Sequence, residues 1–152
     1  MCDYSLEAVR SRPAKIGDKL TTQAFDSGVM GFAAPEDSRV VVCVPPGAEL
    51  VFDEDIQIST WWQAKSVGHK TALFRQINQI VRYTSHDALE FPDGGVVLLT
   101  KLCAGQRATV LQVPAPRAAD IKQADIKQRA HRPVEASSER NLHPASPARG
   151  WR

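Results

Sequence analysis

The chain has 152 residues, of which 43% are hydrophobic and 24% charged, and its formal net charge is +2. This balance is typical of a globular protein; it excludes collagenous, coiled-coil and wholly disordered chains, and the small charge indicates no nucleic-acid or membrane partner. No apolar run approaches the roughly 20 residues that span a bilayer, and the polar opening Met1–Arg12 is unlike a signal peptide, so we expect a cytoplasmic protein.

Short strands separated by glycine and proline turns are predicted along most of the chain. The alternating or β-branched runs are Lys19–Phe25, Val29–Ala34, Arg39–Val44, Ala48–Phe52, Leu89–Phe91, Val96–Cys103 and Arg107–Val113. Asp26-Ser27-Gly28 and Pro92-Asp93-Gly94-Gly95 predict hairpins between the strands that flank them. Pro45-Pro46-Gly47 and Ala104-Gly105-Gln106 predict two further turns. The unbroken apolar run Val40–Val44 indicates a central strand that is covered on both faces.

One amphipathic helix is predicted between these strands. From Lys70 to Tyr83 apolar residues recur at helical spacing, namely Leu73, Phe74, Ile77, Ile80 and Val81. The apolar face of this helix is expected to cover an open side or end of the sheet. The predicted fold class of residues 1–113 is therefore mainly β, a small antiparallel barrel or sandwich of about seven strands with one helix.

Residues 114–152 differ in composition from the rest of the chain. They carry eight basic and four acidic residues, whereas residues 1–113 carry 11 and 13, and they hold half of the ten prolines. With few large apolar residues, this Pro-rich basic tail is expected to be largely disordered. An identical tandem repeat, Ala119–Gln123 and Ala124–Gln128, predicts at most a short helix over 118–130. The absence of interleaved aromatic residues argues against nucleic-acid binding.

The three cysteines, Cys2, Cys43 and Cys103, do not suggest a disulfide framework. Their odd number and wide spacing favour reduced thiols in a reducing compartment. Together with His86 they would supply three sulfurs and one nitrogen to a zinc ion if they met in space. Their spacings of 41, 60 and 17 residues match no zinc motif, so we favour Cys43 and Cys103 as packing residues and predict no metal or other cofactor.

The opening dipeptide Met1-Cys2 resembles the start of two families with a nucleophilic N-terminal cysteine. These are the glutamine amidotransferases of the N-terminal nucleophile type and the proteins that crosslink to abasic sites in DNA. The resemblance implies that removal of Met1 would expose Cys2, whose own α-amine would act as base toward the thiol. Asp3-Tyr4-Ser5 departs from the glycine-containing opening of both families. The alternative is that Cys2 is a small residue that anchors the chain start.

His86-Asp87 is expected on the connection between the predicted helix and the next strand. Connections often carry functional groups, which makes His86 a second candidate base for Cys2. Adjacent side chains on an extended chain point to opposite faces, however, so Asp87 would not orient His86 by adjacency alone. We therefore favour a turn in which Asp87 or Ser85 caps local backbone groups.

Trp61 and Trp62 are adjacent, so their rings point in different directions and at least one is expected to be partly exposed. An exposed ring would mark a contact surface for a protein partner or an apolar ligand. The alternative places one ring in the core and the other over the helix.

Asp53-Glu54-Asp55 follows a predicted strand. Hard cations prefer carboxylate ligands, which makes this triplet a candidate cation site. No glycine and no second acidic cluster follow it, so we predict a solvated turn.

Three stretches resemble short, uncharacterised bacterial proteins. They are MCDYSL at residues 1–6, HDALEFPDGG at residues 86–95 and LCAGQRATVLQVP at residues 102–114. The resemblance covers residues 1–113 and implies that this core is the unit and that a bacterial cytoplasm is the setting. It implies no activity, substrate or cofactor.

Three hypotheses for function follow. The leading one is a non-enzymatic small β-domain that binds a protein or small ligand through Trp61 and Trp62 or through the barrel mouth. The second is an enzyme with Cys2 as nucleophile, its α-amine or His86 as base, and an amide or aldehyde as substrate. The third is a metal-binding protein that uses cysteine and histidine.

Overall fold

The computed structural model describes Tyr4, residues 10–82 and residues 84–115, which belong to one compact unit spanning residues 1–115. Eleven strands form within this part of the chain. They are β1 Arg10–Pro13, β2 Lys19–Ala24, β3 Met30–Ala34, β4 Asp37–Cys43, β5 Glu49–Phe52, β6 Gln57–Ser59, β7 Ala64–Ser66, β8 Thr71–Gln76, β9 Asp87–Glu90, β10 Val96–Leu98 and β11 Arg107–Gln112. A single 3₁₀ turn, Leu99–Lys101, follows β10 and shortens the strand predicted over Val96–Cys103.

Nine of these strands form one sheet in the order β1-β4-β3-β2-β11-β5-β8-β9-β10, and β6 and β7 form a separate two-stranded sheet. Neighbouring strands are antiparallel except β1 and β4, which are parallel. Within the described residues β1 and β10 are each paired on one side, so the sheet is not closed. The mainly β class is confirmed, whereas the seven strands predicted for the barrel or sandwich become nine in an open sheet.

Two of the predicted hairpins are confirmed. Asp26-Ser27-Gly28 joins the antiparallel pair β2 and β3, and Pro92–Gly95 joins β9 and β10. In the second turn Gly94 has a φ of +85°, a conformation that L side chains rarely adopt. The Asp93 side chain fixes the same turn because its Oδ1 accepts a hydrogen bond of 2.9 Å from the backbone N–H of Gly95.

The other two turns lead away from the strand that precedes them. Pro45-Pro46-Gly47 ends β4, but β5 pairs with β11 and β8 rather than with β4. Ala104–Gln106 likewise leads into β11, which pairs with β2 and β5 instead of β10. Because proline offers no backbone N–H, the chain cannot continue a ladder at Pro45 and Pro46 and crosses to another part of the sheet.

The predicted helix over Lys70–Tyr83 is wrong, because its first half is strand β8. β8 lies between β5 and β9, and its burial has a period of two residues, with Ala72 and Phe74 in the core. Ile80, placed on the predicted apolar face, is 97% exposed in the turn that follows. The backbone of β8 is hydrogen-bonded on both sides, to β5 and to β9. This segment is therefore an interior strand of the sheet and not a helix that covers it.

The core lies on both faces of β3 and β4. Val41 and Val42 are adjacent and both fully buried, so β4 is covered on both faces as predicted, although it lies second from the edge of the sheet rather than at its centre. Phe32 on β3 and Phe74 on β8 meet with ring centroids 6.4 Å apart although three strands, β2, β11 and β5, lie between β3 and β8 in the sheet. The sheet therefore coils around one apolar core.

Tyr4 is fully buried against β3 and β4. Its hydroxyl donates to the carbonyl oxygen of Val42 at 2.9 Å and accepts from the N–H of Val44 at 3.4 Å. A Cβ at Gly31 would overlap the Tyr4 ring, so the missing side chain of this glycine makes room for it. Tyr4 thereby contributes both packing and hydrogen bonds to the core.

Among the described residues, no helix combines the length and the apolar character needed to cross a bilayer. The tail predicted over residues 114–152, with its short helix over 118–130, lies outside the described residues except for Pro114 and Ala115.

Candidate binding surface

The hairpin β6–β7 carries Trp61 and Trp62 at its tip. The strands are short, and a turn from Thr60 to Gln63 joins them. Thr60 fixes this turn: its N–H and its hydroxyl both donate to the carbonyl oxygen of Gln63, at 2.9 and 2.6 Å, and its hydroxyl oxygen accepts from the N–H of Gln63 at 3.3 Å. The two tryptophans are therefore held on a turn of defined shape.

Both tryptophan rings face solvent. Trp61 is 84% exposed and Trp62 is 70% exposed. Their ring centroids lie 3.7 Å apart with an angle of 35° between the ring planes, so each ring rests on the other. The alternative that places one ring in the core is wrong, because neither ring is buried and no helix is present at this place to be covered.

Gln106 fastens the base of this hairpin to the main sheet. Its Nε2 donates to the carbonyl oxygens of Gln57 at 2.9 Å and Cys103 at 2.8 Å, and its Oε1 accepts from the N–H of Gln57 at 2.7 Å. The backbone N–H of Gln106 donates in turn to the hydroxyl of the buried Thr22 on β2. A bridge between Ile58 and Leu102 adds a second attachment.

A cleft of about 470 Å³ opens beside the hairpin base. Its walls come from the β5–β6 connection, from β6 and β7, and from the turn before β11. The lining residues are Phe52, Asp53, Glu54, Asp55, Gln57, Ala64, Cys103, Ala104, Gly105, Gln106 and Arg107. Sequence reasoning missed this cleft because its two halves lie about 50 residues apart in the chain and are joined by Gln106.

The cleft is acidic. The exposed triplet Asp53-Glu54-Asp55 forms one wall, and Arg107 is the basic residue that lines it. None of the three carboxylates takes part in an ion pair within the described part of the chain. Among all the residues that the structure describes, no group of three or more His, Cys, Asp or Glu side chains is arranged to hold a metal ion. The triplet is a solvated turn, as predicted, that also faces the cleft.

The two cysteines within the described residues, Cys43 and Cys103, are in different chemical states. Cys103 is a free, half-buried thiol in the wall of the cleft. Cys43 is disulfide-bonded, which corrects the prediction of reduced thiols and removes its sulfur as a metal ligand. Cys2, the predicted nucleophile, lies outside the described residues, so its pairing with a base stays a prediction.

His86 closes the base of the loop between β8 and β9. Its Nδ1 lies 3.2 Å from the carbonyl oxygen of Ile77, and the backbone N–H of Ile77 donates to the carbonyl oxygen of His86 at 2.8 Å. Asp87 is buried at the start of β9, where its Oδ1 accepts from the Gln76 side chain at 3.1 Å. Neither His86 nor Asp87 lines the cleft beside the tryptophans.

A second histidine makes a contact that sequence reasoning did not single out. His69 Nε2 lies 3.0 Å from Asp93 Oδ2, and the imidazole stacks on Phe91 with ring centroids 5.6 Å apart. A hydrogen bond from the Gly95 backbone and a second from His69 hold the pKa of Asp93 below its ordinary value. This pair fixes the β9–β10 turn, and none of its residues lines the cleft.

Comparison of the chain with known protein families, with curated proteins and with solved structures gives no match, so its function is argued from its own residues.

Proposed function

We propose that this protein is a non-enzymatic binding module that takes a protein or small ligand on the aromatic tip formed by Trp61 and Trp62. The observation that carries the proposal is the exposure of both rings at the end of a hairpin. Single exposed apolar residues are ordinary, but two adjacent tryptophans in contact form a continuous apolar patch. Tryptophan is also enriched among residues that dominate binding energy.

The construction of the tip supports binding. The Thr60–Gln63 hydrogen bonds fix the turn, and the contact between the rings restricts both side chains before any ligand arrives. A surface that is already ordered loses less conformational entropy on association. The tip is thus a preorganised platform rather than a mobile loop.

The cleft extends the same surface. Ala64 lines the cleft and lies only two residues from Trp62, so a ligand seated against Ala64 lies within reach of the ring. Polar groups at the rim and apolar rings at the tip match the usual division of a binding site into orienting and area-burying parts.

The test is calorimetric titration of the full chain with three probes of different chemistry. The probes are the peptide Gly-Arg-Ser-Ser-Arg-Gly, the peptide Gly-Glu-Ser-Ser-Glu-Gly and the neutral oligosaccharide cellohexaose. We expect saturable binding of at least one probe, and a loss of about tenfold or more in Trp61→Ala and in Trp62→Ala, the size typical of an aromatic hot spot.

Ile80→Ala is the control, since Ile80 is a large apolar residue outside the tip and the cleft and is even more exposed than the two tryptophans. It should bind as the parent protein does. Undiminished binding by both tryptophan variants, or an equal loss in Ile80→Ala, would contradict the proposal.

A further inference from the structure

We infer that the ligand of the aromatic tip is an extended basic peptide segment, with one arginine or lysine over the tryptophans and another against Asp53, Glu54 and Asp55. This inference rests on the proposed function, which it deepens by naming the chemistry of the partner.

The charge of the cleft selects a cation. Three carboxylates line the cleft against one guanidinium, that of Arg107, and Lys70 Nζ lies beside them, 3.4 Å from the carbonyl oxygen of Asp53, so acidic groups outnumber basic ones by one. A concave surface of one sign concentrates ligands of the opposite sign and repels those of its own. Phosphate-bearing ligands are therefore disfavoured here, although exposed aromatic rings would otherwise suit the stacking of nucleic-acid bases.

The tryptophan tip favours the same sign of charge. The face of an indole ring is the best aromatic acceptor of a cation–π contact, and guanidinium groups use it more often than ammonium groups do. The planar guanidinium also stacks on an aromatic surface, which gives arginine an apolar contact in addition to its charge. Trp61 and Trp62 offer this surface to solvent at the end of the hairpin.

The spacing of the two features indicates an extended peptide rather than a compact cation. Strand β6, Gln57–Ser59, lies between the acidic triplet and the turn that carries the tryptophans. Its three residues span about 10 Å. A ligand that contacts both features must cover a distance of this order, as two basic side chains three residues apart do on a peptide in the extended polyproline II conformation, where positions i and i+3 share a face.

The closing experiment compares the peptides Gly-Arg-Ser-Ser-Arg-Gly and Gly-Glu-Ser-Ser-Glu-Gly on the full-length Trp151→Phe variant, whose fluorescence reports only Trp61 and Trp62. We expect the arginine peptide to change the emission saturably and to bind about tenfold or more tightly than the glutamate peptide. Its affinity should fall as salt is raised, because salt screens exposed charges.

The variant Asp53→Asn/Glu54→Gln/Asp55→Asn, with its thermal midpoint checked, should lose about tenfold in affinity for the arginine peptide. Asp26→Asn/Glu36→Gln removes two exposed carboxylates outside the cleft and should lose much less. Equal affinity for both peptides, equal loss in the two charge variants, or no binding of the arginine peptide up to about 1 mM would overturn the inference. Tryptophan-dependent binding of cellohexaose alone would overturn it and leave the proposed function standing.

Discussion

The side-chain amide of Gln106 hydrogen-bonds both backbone groups of Gln57, accepting from its N–H at 2.7 Å and donating to its carbonyl oxygen at 2.9 Å. One side chain from the turn before β11 thereby pairs with the backbone of the first residue of β6. Together with the Cys103 N–H, which donates to the Gln57 carbonyl oxygen at 3.0 Å, and the Ile58–Leu102 bridge, it attaches the tryptophan hairpin to the rest of the domain.

Replacement of Gln106 by alanine should loosen the hairpin without unfolding the sheet. The N–H of Gln57 loses its partner, whereas the carbonyl oxygen of Gln57 keeps the hydrogen bond from the Cys103 N–H at 3.0 Å; leaving the half-buried N–H unpaired costs about 1–3 kcal/mol of stability. Amide hydrogen exchange at Gln57 should accelerate more than exchange in β2 or β3. Gln112→Ala, an exposed glutamine on β11, is the control and should leave both rates unchanged. Unchanged exchange at Gln57 in Gln106→Ala would show that the Ile58–Leu102 bridge suffices.

The two tryptophans should contribute little to folding stability despite their size. Their rings are mostly exposed, so Trp61→Ala should cost no more than the ring contact, about 0.5–1.5 kcal/mol. Phe74→Ala, which empties a fully buried site, should cost about 3–5 kcal/mol. Urea denaturation of both variants measures the difference. A loss in Trp61→Ala as large as that in Phe74→Ala would mean that the tip is part of the core.

Tyr4 and Gly31 should be energetically coupled. Gly31→Ala places a Cβ in the Tyr4 ring and should destabilise the fold by about 1–3 kcal/mol, the usual cost of overpacking. In a Tyr4→Ala background the same substitution meets no ring and should cost much less. Denaturant midpoints of the four proteins in this cycle give the coupling energy. Additive losses would contradict the contact.

The hydroxyl of Tyr4 supplies a separate prediction. Tyr4→Phe keeps the ring but removes the partner of the Val42 carbonyl and the Val44 N–H in a buried place, which should cost about 1–3 kcal/mol. Thermal unfolding monitors the loss. Stability equal to that of the parent protein would show that other groups satisfy these backbone atoms.

Asp18 should make stability depend on acid pH. Partial burial alone raises the pKa of Asp18, but hydrogen bonds from the Arg12 side chain and the Lys15 backbone outweigh it and lower the pKa below its ordinary value. The unfolded value is about 3.9, so the stabilisation is complete above that pH and is lost as the pH falls through the lower folded-state value. Asp18→Asn should therefore cost about 1 kcal/mol at pH 7.

The difference between Asp18→Asn and the parent protein should shrink as the pH falls below about 4. Asp26→Asn, in the exposed β2–β3 turn, serves as control and should show a much smaller difference at neutral pH. A difference for Asp18→Asn that grows toward acid pH would contradict the assigned direction of the pKa shift.

The strands and hairpins that turn chemistry specifies were predictable, and the elements that depend on distant partners were not. Asp26-Ser27-Gly28 and Pro92–Gly95 determine their hairpins locally. In β8, by contrast, the apolar pair Leu73 and Phe74 fits a helix or a strand equally well, and the ladders to β5 and β9 decide between them.

In the candidate site, too, local sequence predicted some features, while others depend on residues far apart in the chain. Adjacency of Trp61 and Trp62 predicted that at least one ring would be partly exposed and that the rings would point in different directions; both rings are exposed, but they contact each other. The hairpin is attached in part by Gln106, 49 residues from Gln57, and no local pattern marks a glutamine for this role. The acidic triplet was recognisable as a turn, whereas its position beside the tip required the fold.

The separation of β6–β7 from the nine-stranded sheet makes the domain a natural scaffold. Ser59 and Ala64 are opposite each other in the two-stranded ladder, so the segment between them begins and ends about 5 Å apart. Any four-residue turn that closes this short gap can be grafted there without repacking the core. The domain should therefore accept foreign recognition loops in place of Thr60–Gln63 and acquire new specificities while keeping its stability.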